Sequence, residues 1–180
     1  MLNHKGTQEI KTDRLLLRRF TSKDIEDAFN NWASDEDVTR YLTWCAYKDI
    51  SGEAEYINQQ IAKYVNNDFY AWAIEFEGQT IGTIDAHPVE NLAIASIGYC
   101  MGKKWWGKGI MTEALKAVID YLFSCGFIRI FAIHDISNPA SGGVMQKAGM
   151  EFEGIIRKGG KDNRGNLVDV KQYSIINDTN

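Results

Sequence analysis

Proline is nearly missing from this chain of 180 residues: two occur, Pro88 and Pro139, and no Pro/Gly/Ser stretch marks a linker. One uninterrupted domain over residues 1–180 is therefore expected. Cysteine is sparse. Cys45, Cys100 and Cys125 are odd in number and far apart, and no C-x-x-C spacing occurs. That excludes a disulfide framework and a zinc-type cluster; no metal is expected, and reduced thiols in a cytoplasmic protein are. No apolar run is long enough for a bilayer span. The first 20 residues carry charges throughout, so no signal peptide is expected. Basic charge is not in excess either: 20 Lys and Arg stand against 24 Asp and Glu, a formal net charge of -4. With no basic run interleaved with aromatics, nucleic-acid binding is argued against. Internal repeats and low-complexity tracts are absent.

What is present is core material, since 44% of residues are hydrophobic and 12% aromatic. Residues 14–20 suit a strand, and Thr21 or Ser22 then caps a helix carrying Ile25, Ala28, Phe29 and Trp32. Ser51 opens a second helix with Ala54, Ile57, Ile61 and Val65 on one face. Residues 70–76 alternate as a strand, and Glu77-Gly78 turns the chain into a partner over 80–86. Residues 94–101 form the next strand and 107 to about 125 a helix. Residues 128–133 read as a buried strand. Asn138-Pro139 opens a helix that Gly149 ends. Strands at about 151–157 and 167–176 flank a polar turn at 161–165. Alternating elements of this kind predict an α/β domain: a mixed sheet with helices on both faces.

The densest signal is IGYCMGKKWWGKGIMTEAL, residues 97–115. Alternation makes 97–101 a strand, and Ile110, Met111, Ala114, Leu115, Val118 and Ile119 recur at helical spacing. Between them, Gly107-Lys108-Gly109 lets backbone approach a ligand closely. A helix opening on glycine amides is an anion site, because its first N–H groups lack partners and its dipole is positive there. A phosphorylated ligand is predicted at this turn.

Four ordered motifs carry a resemblance. Thr12-Asp13-Arg14-Leu15-x-Leu17-Arg18 comes first. Ile97-Gly98-Tyr99 with Trp106-Gly107-Lys108-Gly109 and Thr112-Glu113-Ala114 follows. Asn138-x-x-Ser141 leads to Lys147-x-Gly149, and Glu153-Gly154 with Asp169 and Tyr173-Ser174 closes the series. From about Thr12 to Ile176 the chain resembles the GNAT N-acetyltransferases, in particular the ribosomal-protein-alanine branch. The resemblance implies a mostly antiparallel sheet of about seven strands, splayed between the fourth and fifth, with acetyl-coenzyme A in the gap. It implies cofactor contacts at Tyr99, Cys100, Met101, Lys104, Trp105, Trp106, Gly107, Lys108, Gly109, Ile110, Asn138, Ser141 and Lys147. The turn amides would hold the pyrophosphate, and the pantetheine would lie along the edge of 97–101 as an added strand.

The implied reaction is direct attack of a primary amine on the thioester. A backbone N–H near Tyr99 to Met101 would meet the developing oxyanion, and Ser141 would protonate the departing thiolate. Departures from the family pattern are specific. Lys104 stands where Arg or Gln is frequent. Met145 occupies the place of the family's tyrosine acid, which leaves Ser141 as the substitute. Ser96 replaces a glutamate just before Ile97, so a base is left open among Asp85, His87, His134 and a water chain. Asn138 serves as N-cap, cofactor contact or both. Gly142-Gly143 signals close ligand approach or a frayed first turn. Cys100 is read as core, Tyr173 and Asp169 as hairpin organisers, and Trp44 as acceptor-pocket wall or core cap. The acceptor is a protein N-terminal amine or a small-molecule amine such as an antibiotic, polyamine or amino acid; a coenzyme A-binding module without catalysis is the reading from another class. The branch implies a homodimer.

Overall fold

A computed structural model describes residues 2–177; Met1 and residues 178–180, which the single-domain expectation includes, lie outside the described residues. The strands are β1 (Ile10–Lys11), β2 (Leu15–Arg18), β3 (Tyr70–Phe76), β4 (Gln79–Pro88), β5 (Ile94–Met101), β6 (Arg129–Asp135), β7 (Glu151–Lys161) and β8 (Leu167–Ile176). They form one sheet in the order β1-β2-β3-β4-β5-β6-β8-β7. Only β5 and β6 pair in parallel; the other neighbours are antiparallel. The extra strand relative to the seven expected is the two-residue β1, so the splay expected between the fourth and fifth strands falls between β5 and β6.

That splay is visible in the register. β5 and β6 pair only over Ile94↔Arg129, Ala95↔Ile130 and Ser96↔Phe131. Beyond Ser96, β5 stays on β4 as far as Gly82↔Met101, while β6 stays on β8 as far as Asp135↔Val170. The β6-facing edge of residues 97–101 is left without a strand partner.

Helices cover both faces. α1 (Asp24–Ala28) runs into a π-helical turn, Phe29–Ala33, and is followed by α2 (Glu36–Thr39) and α3 (Ile50–Lys63). These bury Phe20, Trp32, Ile57 and Ala73 against one face. α4 (Ile110–Ser124) and α5 (Pro139–Lys147) cover the other, where Tyr70, Trp72, Leu115, Leu122 and Phe127 are buried. Each such side chain contributes about 1.5–3 kcal/mol on leaving water. The β3–β4 connection is the two-residue turn expected, with Glu77 at φ 51 and Gly78 at φ 76, both left-handed as a type I′ hairpin needs.

Some boundaries differ from the sequence reading. Neither Thr21 nor Ser22 caps α1; Lys23 holds that place, and the Asp24 carboxylate accepts from the Thr21 N–H at 2.7 Å and from Arg18. Asp49, not Ser51, caps α3 by accepting from the Ser51 N–H at 3.0 Å. Val65 lies beyond that helix and is exposed. β6 is not buried on both sides: Ile130, Ala132 and His134 are buried on the side that α5 covers, whereas Ile133 on the other side is exposed, because α1–α3 stop short of this half of the sheet.

Candidate active site

The gap between β5 and β6 opens into a cleft of about 1320 Å³. One wall is the turn from β5 into α4. A single 3-10 turn, Lys103–Trp105, leads to Gly107 and Gly109, both at φ 74, and Gly109 caps α4 with no side chain closing the first amides. A Cβ on Gly107 would touch nothing within 4 Å, so its role is conformational. Trp106 folds back and donates its Nε1–H to the Met101 carbonyl at 2.7 Å, which fixes the strand end. Glu113, in the first turn of α4, accepts from the Thr12 hydroxyl at 2.5 Å, the Arg14 N–H at 3.0 Å and the Arg14 Nε–H at 2.7 Å. Arg14 also donates to the Lys108 carbonyl at 3.1 Å. The first sequence motif therefore clamps the second. Burial would raise the Glu113 carboxyl, but these donors more than offset it and hold it below its usual range.

The opposite wall is α5. Asn138 is its N-cap, accepting from the Ser141 N–H at 3.4 Å, with Pro139 at the first helical position. The Tyr99 hydroxyl crosses the gap: it donates to the Ser141 carbonyl at 3.0 Å and lies 3.0 Å from Ser141 Oγ. Burial pushes Tyr99 up to about 12, so it stays a neutral phenol. His134 is buried, stacks on Tyr173 with ring centroids 5.7 Å apart, and places Nε2 where a Cβ on Gly142 would lie at 2.6 Å. Gly142 is thus glycine because of His134. Met145, on α5, is buried against the core at the cleft wall.

A third wall comes from the α1–α3 side. Glu53 in α3, Asp85 in β4 and Cys100 in β5 all line the cleft, with Trp44 and Tyr47 stacked 5.5 Å apart. Glu53 Oε1 is buried without a hydrogen-bond partner, and Asp85 Oδ1 has only the His87 ring beside it. Burial alone pushes Glu53 up to about 7. The exposed His87 brings Nε2 to 3.3 Å from Asp85 Oδ1, and that carboxyl raises the histidine pKa against the opposing effect of burial. Burial also raises the Cys100 thiol, with Asp85 and Glu53 adding to it, so Cys100 is no thiolate nucleophile. The β7–β8 turn bridges over this half: Asn163 donates to the Thr39 carbonyl at 3.0 Å and accepts from the Cys45 thiol at 2.9 Å.

Of the anticipated contact residues, Tyr99, Cys100, Met101, Trp106, Gly107, Gly109, Ile110, Asn138, Ser141 and Lys147 line the one cleft. Lys104, Trp105 and Lys108 lie outside its lining: Trp105 is buried in the core, and the Lys104 ammonium sits 5.1 Å over the Trp105 ring. Sequence reasoning missed Glu53. Its signal was a polar residue on the inward face of α3, where Glu53, Ile57 and Gln60 are all buried.

The comparisons with known proteins decide the family. The acetyltransferase (GNAT) domain model matches residues 14–151. The chain belongs to the GNAT acetyltransferases. As such it is an acyltransferase. The uncharacterized N-acetyltransferase YoaA from Bacillus subtilis (strain 168) is 33% identical over 171 residues, covering 93% of this chain and 96% of that one. A GNAT-family acetyltransferase structure from Bacillus anthracis superposes with a TM-score of 0.82 at 27% identity, over 94% of this chain and 98% of that one. RimL, a ribosomal L7/L12 alpha-N-protein acetyltransferase in complex with coenzyme A, shares the fold at TM-score 0.85 and 20% identity, over 96% and 100% of the two chains. Among the described residues no helix is long and apolar enough to cross a membrane.

Proposed function

We propose that the chain is a single, cytoplasmic acetyltransferase domain that transfers acetyl from acetyl-coenzyme A to a primary amine, with a flexible protein N-terminus as the acceptor. The observation that carries the donor is the unpartnered edge of Ile97–Met101 running straight into the Gly107–Gly109 turn. The edge supplies unpaired backbone groups for an amide-bearing arm. The turn and the uncapped start of α4 supply amides and a positive dipole for a pyrophosphate. RimL is a protein N-terminal acetyltransferase that holds coenzyme A on the same fold. The branch resemblance adds a homodimer.

The chemistry follows from the walls. The acetyl carbonyl would lie beside β5, where a backbone N–H of Tyr99 to Met101 meets the oxyanion. Ser141 stands across the gap, its hydroxyl held by Tyr99, and protonates the leaving sulfur. Asn138 and Lys147 would contact the donor from α5. The bridge of Asn163 over the third wall favours an acceptor that threads in, a chain end or a small amine, over a folded protein face. An antibiotic, polyamine or amino acid is the second reading.

Calorimetry with coenzyme A and acetyl-coenzyme A, followed by thiol release with N-terminal peptides, polyamines and amino acids, tests both. Micromolar donor binding with turnover on peptides is the expected result. Absence of donor binding and of thiol release refutes the proposal, and tight binding without turnover assigns a coenzyme A-binding module instead.

A further inference from the structure

We propose that Glu53 removes the proton from an acceptor that enters as a primary ammonium ion, that Asp85 helps to hold this cation, and that the two carboxyl groups exclude amines carrying a free carboxylate next to the nitrogen. The proposal rests on the acetyl-transfer reading above and names its acceptor class.

Glu53 is 1% exposed, lines the cleft, and leaves Oε1 without a partner. A buried carboxyl group is ordinarily paired, because desolvation without compensation is costly. Here the group sits in the cleft wall, with Oε1 unpaired and almost none of its surface exposed. Asp85 adds a second carboxyl from the sheet, with Oδ1 3.3 Å from His87 Nε2, and Gly98 opposite makes room for it: a Cβ there would sit 2.7 Å from that oxygen. The two carboxyls share neighbours, since both act on Tyr56 and on Cys100, and Glu53 also acts on Tyr47. Trp44 and Tyr47 add ring faces that attract a cation. The lysines and arginine that line the cleft, Arg40, Lys103, Lys147 and Lys161, are all exposed, and Lys103 is already paired with Asp37. Apart from His87, which Asp85 already faces at 3.3 Å, this end of the cleft offers negative charge to a positive group and no cation to a carboxylate.

The step balances. The Glu53 carboxylate takes one proton from the ammonium, leaving a neutral amine and a carboxylic acid. The amine lone pair forms the C–N bond, the C–S bond breaks, and sulfur departs with its electron pair. The second nitrogen proton reaches sulfur by way of the Ser141 hydroxyl. The products are an amide and a thiol, and Glu53 returns its proton to water. A carboxyl held near neutrality takes and returns a proton with little free-energy cost.

The test uses alaninamide and alanine as probes with acetyl-coenzyme A. In the parent, kcat/KM for alaninamide should rise through about pH 7. Glu53→Gln should lose that inflection and fall by about 10²-fold or more, with coenzyme A affinity unchanged. Glu53→Asp should recover part of the loss, and Asp85→Asn should act mainly on KM. Alanine should react at least about tenfold more slowly than alaninamide, a gap that narrows in Asp85→Asn. Carbon NMR of the Glu53 carboxyl reads the same event without turnover: alaninamide should lower its titration midpoint and alanine should not. A Glu53→Gln protein with the parent's rate and pH profile, or a midpoint that alaninamide leaves unmoved, overturns the proposal. Failure of the parent to bind coenzyme A would instead refute the acetyl-transfer reading.

Discussion

Replacing Glu53 by glutamine removes a carboxyl that burial holds at about 7, against 4.5 for the same group in water. The sign is fixed by that order. The folded protein binds this proton more tightly than the unfolded chain does. Stability is therefore fullest below about pH 4.5, falls as pH rises toward 7, and levels off above it. At about 1.4 kcal/mol for each pH unit, the penalty on the parent at pH 8 is about 3 kcal/mol. Glutamine carries no charge and escapes it, although its buried amide costs about 1–3 kcal/mol at every pH. The informative quantity is thus the difference between parent and variant as a function of pH. For a chain of 180 residues, about 2–4 °C of Tm accompanies each kcal/mol, so the two melting curves should diverge by roughly 6–12 °C between pH 4.5 and 8 in favour of the variant. Circular-dichroism melts across that range measure it. Parallel Tm profiles, or a divergence favouring the parent, would refute the assignment of Glu53 as a buried, unpartnered acid.

Three further outcomes follow from the donor side. Gly109→Ala places a side chain at φ 74 and should cost about 1–2 kcal/mol in urea unfolding while weakening acetyl-coenzyme A binding in calorimetry. Glu113→Gln loses the charge that Thr12 and Arg14 hold, and should destabilise by about 1–3 kcal/mol at pH 7. Because that carboxyl sits below its ordinary value, its contribution is present above about pH 4.5 and lost as pH falls through its folded value; urea melts of the pair should converge in acid. Tyr99→Phe deletes the hydroxyl that crosses to Ser141, and should cost about 0.5–1.5 kcal/mol of stability and lower kcat more than KM with a peptide acceptor.

The turn and cap that border the cleft were legible because they are built from backbone. Positive φ at Gly107 and Gly109 and the N-cap at Asn138 are local events that their own residues announce. The hairpin at Glu77-Gly78 and the end of α5 at Gly149, φ 93, are of the same kind. What stayed hidden depends on distant partners. Lys104, a cofactor contact implied by the family resemblance, lies over Trp105 outside the cleft lining, a placement set by how the turn packs. Gly142 carried a ligand signal in sequence and proves to make room for His134, a neighbour from β6. Glu53 has no motif at all; its function-like setting comes from the meeting of α3, β4 and β5.

Those three elements also explain why the two halves of the site are independent. Side chains alternate along β5, so Tyr99 faces α5 and the core beneath α4, while Cys100 packs with the α1–α3 cluster. The cleft reaches both because β6 leaves the sheet after Ser96. A thioester lying along the free edge would be met by the Ser141 hydroxyl from one face and by an amine from the other. Nitrogen and sulfur would then be neighbours on one tetrahedral carbon, so that the Ser141 hydroxyl could pass the second nitrogen proton to the departing sulfur. On the proposed reading, donor recognition would use amides that any sequence with the right glycines supplies. On the proposed reading, acceptor recognition would use side-chain charge at Glu53 and Asp85, which is costly to remove from water. Substitutions in α3 should therefore change which amine is accepted without changing the affinity for coenzyme A, and substitutions at Gly107 or Gly109 should do the reverse.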